Sequence, residues 1–206
     1  MGAWIPFTLT AALVQTLRFM VQKHLKATSL STGGATFARF LYSAPLIVVL
    51  ILAYATFRDL PLPRPTPRFW AFAIAGGLGQ ILATMCVVAL FSLRNFAVGI
   101  TFKKTEVMQT ALLGLIVLGE GVSFGGFVAI SIGLAGVLLL SNEGGIRAWR
   151  LNRAAGLGIL SGALFAVAAI GYRGATLEMQ TDDLILRSGT TLAIVTTLQA
   201  LSLAAW

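Results

Sequence analysis

Charge is what this chain of 206 residues has least of. Only 11% of the residues are charged, and Asp and Glu number 7 against 15 Lys and Arg. Soluble domains carry roughly 25% charged residues, so a water-facing surface cannot be covered from this supply. Lipid can cover it instead. Cys86 is the only cysteine, which excludes an intrachain disulfide and a cysteine metal centre; within its apolar run it reads as a small hydrophobe. The single histidine, His24, sits beside Lys23 and Lys26 at a helix end, an interfacial position rather than a proton relay. There is no G-x-x-x-x-G-K-[ST] loop, no H-E-x-x-H, no G-x-S-x-G and no potassium-filter sequence. The chain therefore carries no sign of an ATP-driven machine, an enzyme or a selective channel, and no cofactor or metal is expected.

Long hydrophobic runs are what the sequence does have, since 57% of it is apolar. A bilayer core of ~30 Å takes roughly 20 mostly apolar residues per helix. Seven runs qualify, at 4–22, 33–57, 69–92, 96–118, 123–141, 155–172 and 184–205. The expected fold is an all-α transmembrane helix bundle of about seven helices. The breaks have local causes. Residues 58–68 hold four prolines and four charges and cannot be helical or buried. Arg94-Asn95 reads as a tight turn, Gly119-Glu120-Gly121 as a glycine stop, and 142–153 and 178–183 as polar connections. Basic residues cluster at the run ends, where Lys and Arg orient helices and meet anionic lipid, so the positive excess points to membrane rather than nucleic acid. The charge count places the 22–32 and 142–154 loops in the cytoplasm and the N-terminus outside.

An offset of 148 residues pairs Leu9 with Leu157, Ala27-Thr28 with Ala175-Thr176 and Arg39 with Arg187. Five spans separate the copies, so they enter the membrane in opposite directions, the arrangement of inverted-repeat transporters. The expected organisation is one five-helix repeat over 1–141, a connection over 142–154, and the first two helices of a truncated second repeat over 155–206.

Charges within spans cost about 2.5–3.5 kcal/mol each on insertion scales and usually face a cavity or a partner. The fourth run carries three: Lys103, Lys104 and Glu106. Read as one helix, it places Gly99, Lys103, Glu106, Thr110 and Gly114 on a single polar or small face. A Lys103–Glu106 pair would satisfy both charges or leave Glu106 free to titrate, and Lys104 is a candidate for either the solute site or headgroup snorkelling. Ala11, Gln15, Arg18 and Gln22 form a stripe on the first run, Ala35, Arg39 and Tyr42 on the second, and Gly76, Gln80 and Thr84 on the third. Gln15 and Gln80 are candidates for hydrogen bonds to a polar solute, with interhelical bonding as the plain alternative. Arg18 and Arg39 lie nearer helix ends, where headgroup anchoring is the expected role, although Arg39 and Tyr42 remain candidate solute residues. Gly158, Gly162 and Ala166, and Gly125, Ala129 and Gly133, are small-residue ladders suited to close helix packing.

The stretch Lys104-Thr-Glu-Val-Met-Gln-Thr-Ala-Leu-Leu-Gly-Leu-Ile-Val-Leu-Gly-Glu120, with the glycine-rich 130–140 run, resembles the fourth and fifth helices of an EamA-type repeat. Ala38-Arg39-Phe40-Leu41-Tyr42 with Pro45 resembles the start of that family's second helix. The similarity places the chain with the drug/metabolite transporter superfamily, most clearly over 1–141. It implies two inverted five-helix repeats around a central cavity, with both termini cytoplasmic, against the charge count. It carries no universal catalytic signature, and Glu120 is a helix-end residue. The expected function is secondary transport of small polar metabolites or drug-like solutes by alternating access, with Glu106 as a proton-coupling candidate, in a bacterial cytoplasmic (inner) membrane. The expected partners are a small-molecule solute, the lipid bilayer and protons or another exchanged ion, with a homodimer left open. The competing reading is a non-transporting scaffold or a subunit completing another chain's bundle.

Overall fold

The computed structural model describes residues 4–28, 31–93, 96–140 and 153–205. Each of the seven apolar runs is helical, and the chain order is α1 (Trp4–Thr28), α2 (Thr32–Phe57), α3 (Pro67–Leu90), α4 (Phe96–Lys103), α5 (Glu106–Leu113) with a π-helical turn (Gly114–Leu118), α6 (Phe124–Leu140), α7 (Arg153–Leu177) and α8 (Leu184–Ala204). The Arg94-Asn95 turn and most of the 142–154 connection lie outside the described residues. α2, α3, α7 and α8 are long and apolar enough to cross a membrane by themselves. α1 is long but carries its polar stripe, and the fourth run is divided.

Capping explains where these helices begin. The Ser31 hydroxyl accepts from the Gly34 N–H (3.0 Å) at the start of α2. Thr66 caps α3 ahead of Pro67, whose missing N–H costs nothing at the first helical position. The Asp183 carboxylate accepts from the Leu186 N–H (2.8 Å) to open α8. Two of these caps also tie helix ends together. The Thr66 hydroxyl donates to Glu178 (2.5 Å) at the end of α7, and Tyr54 of α2 donates to Asp183 (3.0 Å). Four helix ends are thereby pinned at one side of the bundle.

Helix packing follows the small residues. α3 and α7 form the most extensive seam, α2 runs along α8, and α4 and α5 lie against α7. Gly76 and Gly171 meet backbone to backbone: a Cβ built on Gly171 would lie 2.5 Å from the Gly76 Cα. The Gly158 and Gly162 ladder does the same against Gly99 and against the Lys103 and Glu106 backbone. The second ladder does not pack here, since Gly125 and Gly133 face open space. Outward faces are apolar, with Leu46, Val49, Ile74, Leu78, Ile116 and Ile132 exposed, as lipid contact requires. α1 touches α2 and α3 along only a thin seam.

The sequence pattern predicts one continuous helix over 96–118, and the structure corrects it. The Lys104 and Thr105 N–H groups bond three residues back, to Thr101 (3.0 Å) and Phe102 (3.1 Å), and the regular ladder resumes at Gln109. The Thr105 hydroxyl takes the Phe102 carbonyl as well (2.8 Å), a side-chain bond that competes with the helix. The break suits its charges. Lys103 ends in the last turn of α4 and Glu106 opens α5, each at the helix end whose partial charge is opposite to its own.

Candidate functional site

A cavity of about 630 Å³ lies among α1, α2, α7 and α8. Its depth follows from chain geometry. Arg39 is seven residues inside α2, about 10 Å along it, and Arg18 is ten residues before the end of α1, about 15 Å. The two helices are consecutive, so both arginines sit at similar height in the bundle, two to three turns in from the helix ends they share. Val21, Ala35, Ala38, Phe40, Ile47 and Leu192 supply apolar wall, while the exposed Tyr42 and Leu46 stand at its opening.

Their positions along the helices suggest headgroup anchoring, but both arginines line the cavity. Arg39 turns into the bundle and donates from Nη1 to the Thr84 hydroxyl (2.9 Å). The Gln80 amide, oriented to satisfy its neighbours, accepts from Arg39 Nη1 (2.9 Å) and Nη2 (2.7 Å). Thr84 in turn donates to the Gln80 carbonyl (2.7 Å), so one turn of α3 cradles the guanidinium with neutral acceptors. Arg18 lies over the Phe19 ring (4.5 Å), with Nε and Nη2 buried and without hydrogen-bond partners. Gln22, one turn further on, is 3% exposed, and neither atom of its amide is bonded. From the opposite wall Gln199 Nε2 donates to the Gly77 carbonyl (3.0 Å) and to the Tyr172 hydroxyl (2.9 Å), leaving Gln199 Oε1 unbonded.

Beside this cavity, Lys103 and Glu106 pair across the helix break, and the ammonium also sits over the Phe165 ring (4.2 Å). The pair occupies the seam between α4, α5 and α7 and forms no part of the cavity wall. Among the described residues the ion pairs are Lys103–Glu106 and the exposed Arg173–Glu120 (2.9 Å), so neither Arg18 nor Arg39 has a carboxylate of its own.

A family model for EamA-like transporters matches residues 2–142, more than half of the chain. The chain belongs to the EamA-like transporter family. It is accordingly an integral membrane protein of the drug/metabolite transporter superfamily, and the family is one of transporters rather than enzymes. No curated protein and no solved structure matches it.

Within this EamA-like bundle the seven sequence candidates fall in different places. Arg39, Gln80 and Tyr42 belong to the cavity, Gln80 as the support behind Arg39. Lys103 and Glu106 form the neighbouring buried pair. Gln15 and Lys104 are exposed, and neither lines the cavity. Reasoning from sequence missed Gln199, whose signal was a lone amide one turn from Thr196 in an apolar run. It set Arg18 and Gln22 aside because a stripe identifies a polar face without saying what that face meets. Glu120 fits its helix-end role: Gly119 is left-handed (φ 69°), Glu120 N–H closes the π turn onto Gly114 (3.2 Å), and the carboxylate holds Arg173.

Proposed function

We propose that this protein is a secondary transporter that moves a small solute by alternating access, and that the α1/α2/α7/α8 cavity is its solute site. The observation that carries the reading is a solute-sized space at membrane depth, flanked by buried polar groups without partners. A cavity of about 630 Å³ falls within the roughly 300–1,000 Å³ of ligand sites. Unbonded buried polar groups are costly and call for an occupant, water or solute. The divided fourth span supports the same reading, because discontinuous helices with their end charges sit beside substrate and ion sites in transporters.

Glu106 is the proposed coupling group. It starts a half-helix and pairs with Lys103 across the helix break, so losing the charge of Glu106 would release Lys103. Residues 1–141 would form one five-helix repeat, with 155–206 as the first two helices of an inverted second. Packing of α2 beside its proposed counterpart α8 supports this, since a pseudo-two-fold axis would bring those two helices together. The bacterial cytoplasmic (inner) membrane is the proposed location.

The test is solute flux in proteoliposomes under an imposed pH gradient, comparing the parent with Glu106→Gln. Flux should persist down a solute gradient but lose its response to the pH gradient. Glu106→Gln flux that remains fully pH-driven would remove Glu106 from coupling, and no flux of any solute would remove the transporter reading.

A further inference from the structure

We infer that the cavity selects a small organic carboxylate with an apolar body, its oxyanion held between Arg18 and Arg39; this rests on the transporter reading for its purpose but not for its chemistry. Charge decides the sign of the ligand. Among the described residues of the cavity and the neighbouring α4/α5/α7 seam, Arg18, Arg39 and Lys103 stand against one carboxylate, Glu106, and that carboxylate is paired with Lys103. Three cations less one anion leave two positive charges. Both belong to guanidinium groups lining the cavity. Arg39 is bonded by Thr84 and Gln80, which position its fork without neutralising it. Arg18 keeps Nε and Nη2 buried with nothing to donate to.

Geometry narrows the class. A guanidinium offers parallel donors that match the two oxygens of a carboxylate. The remaining free groups are sparse: the Gln22 amide, Gln199 Oε1, and the hydrogen of the Tyr172 hydroxyl, whose oxygen already accepts from Gln199. The Ser43 and Thr196 hydroxyls donate to carbonyls of their own helices, Tyr42 stands exposed at the opening, and the rest of the wall is aliphatic or aromatic. A solute rich in hydroxyls would leave most of its own polar groups unmet there. One charged end and an apolar remainder match what the wall offers.

A lipid phosphate could present the same oxyanion, so the test separates the two sources. The full chain in neutral phosphatidylcholine nanodiscs is titrated calorimetrically with hexanoate and 3-phenylpropanoate, and with the amide and amine corresponding to the latter. At least one acid should bind, with amide and amine tenfold weaker or worse. Arg18→Gln and Arg39→Gln should each weaken the acid at least tenfold. Arg18→Gln removes a charge whose buried Nε and Nη2 make no hydrogen bond, so it keeps the test decisive should Arg39→Gln fail to fold.

The inference is overturned if neither acid binds, if the amide or amine equals the acid, or if either variant, folded, retains the parent's affinity. Repeating the titration with phosphatidylglycerol present should leave acid affinity within a few-fold. Loss of acid binding there would assign the arginines to lipid and overturn the inference. Flux separates the two readings. An acid that binds but is never moved leaves the anion site standing and sinks transport. A neutral or cationic solute moved equally by the parent and Arg18→Gln does the reverse.

Discussion

Replacing Gly171 by alanine adds one methyl group where the α3 and α7 backbones approach closely. The new Cβ would lie 2.5 Å from the Gly76 Cα, 2.7 Å from its nitrogen and 2.8 Å from the Phe72 carbonyl oxygen. Carbon atoms settle at ~3.5–4.0 Å, and all three neighbours are backbone atoms that cannot rotate away. The helices must therefore part by about 1 Å, loosening contacts along their length. Overpacking of this kind costs ~1–3 kcal/mol, against a gain of roughly 0.5–1 kcal/mol for removing a mid-helix glycine. The centres of the two ranges leave a net loss of about 1 kcal/mol, or roughly 2–4 °C in Tm for a chain of this size. Gly156→Ala on the same helix is the control, because among the described residues nothing lies within 4 Å of its built Cβ. There only the glycine gain remains, and Tm should rise by about 1–4 °C. Thermal unfolding in detergent can be followed by capture of Cys86, the single cysteine, with a thiol-reactive fluorophore. A Gly171→Ala protein as stable as its parent, or equal losses in both variants, would refute the close-approach argument.

Two further perturbations test the helix ends. Gly119→Ala forces a side chain into the left-handed region (φ 69°) with no neighbour to clash, so only the backbone penalty of ~1–2 kcal/mol applies, and Tm should fall by a few degrees; an unchanged Tm would show that the cap is not needed. At Asp183 the backbone hydrogen bond from Leu186 holds the carboxyl below its usual 3.8, outweighing partial desolvation, with the Tyr54 bond adding to the effect. A depressed value means that the charged cap stabilises above the ordinary carboxylate range and loses that contribution as pH falls through the folded value. Tm against pH should therefore fall less steeply on the acid side in Asp183→Asn, which retains a capping oxygen; parallel acid limbs would argue against the cap.

The candidate site was legible in parts. Lys103 and Glu106 announced themselves because two opposite charges three residues apart in an apolar run must find one another, and they do. Arg39 was visible as an intramembrane cation, yet its direction was not: the same side chain can reach a headgroup or turn inward. Gln80 and Thr84 of α3 decided that by offering acceptors. Gln15 belongs to the same stripe as Arg18 and Gln22, but only the last two meet the cavity. The break at Lys104-Thr105 contains neither proline nor glycine, and it escaped detection because its cause is a side-chain bond together with the end charges of two half-helices.

What the amino-acid order determined alone is the class of solvent and the partition of the chain into helices. Apolar runs of membrane length leave backbone groups no partner but their own, and proline, glycine and capping residues set the ends. Tertiary structure alone decided which polar faces meet. Gly76 against Gly171 and Gly158 against Gly99 bring backbones together and fix how α3 and α4 lie on α7. α2 and α8 meet along their own seam, and with α1 and α7 they enclose a space lined by two arginines without carboxylate partners. A stripe along one helix records only which side is polar. What that side faces depends on contacts between residues more than a hundred positions apart, as Gln199 with Gly77 shows.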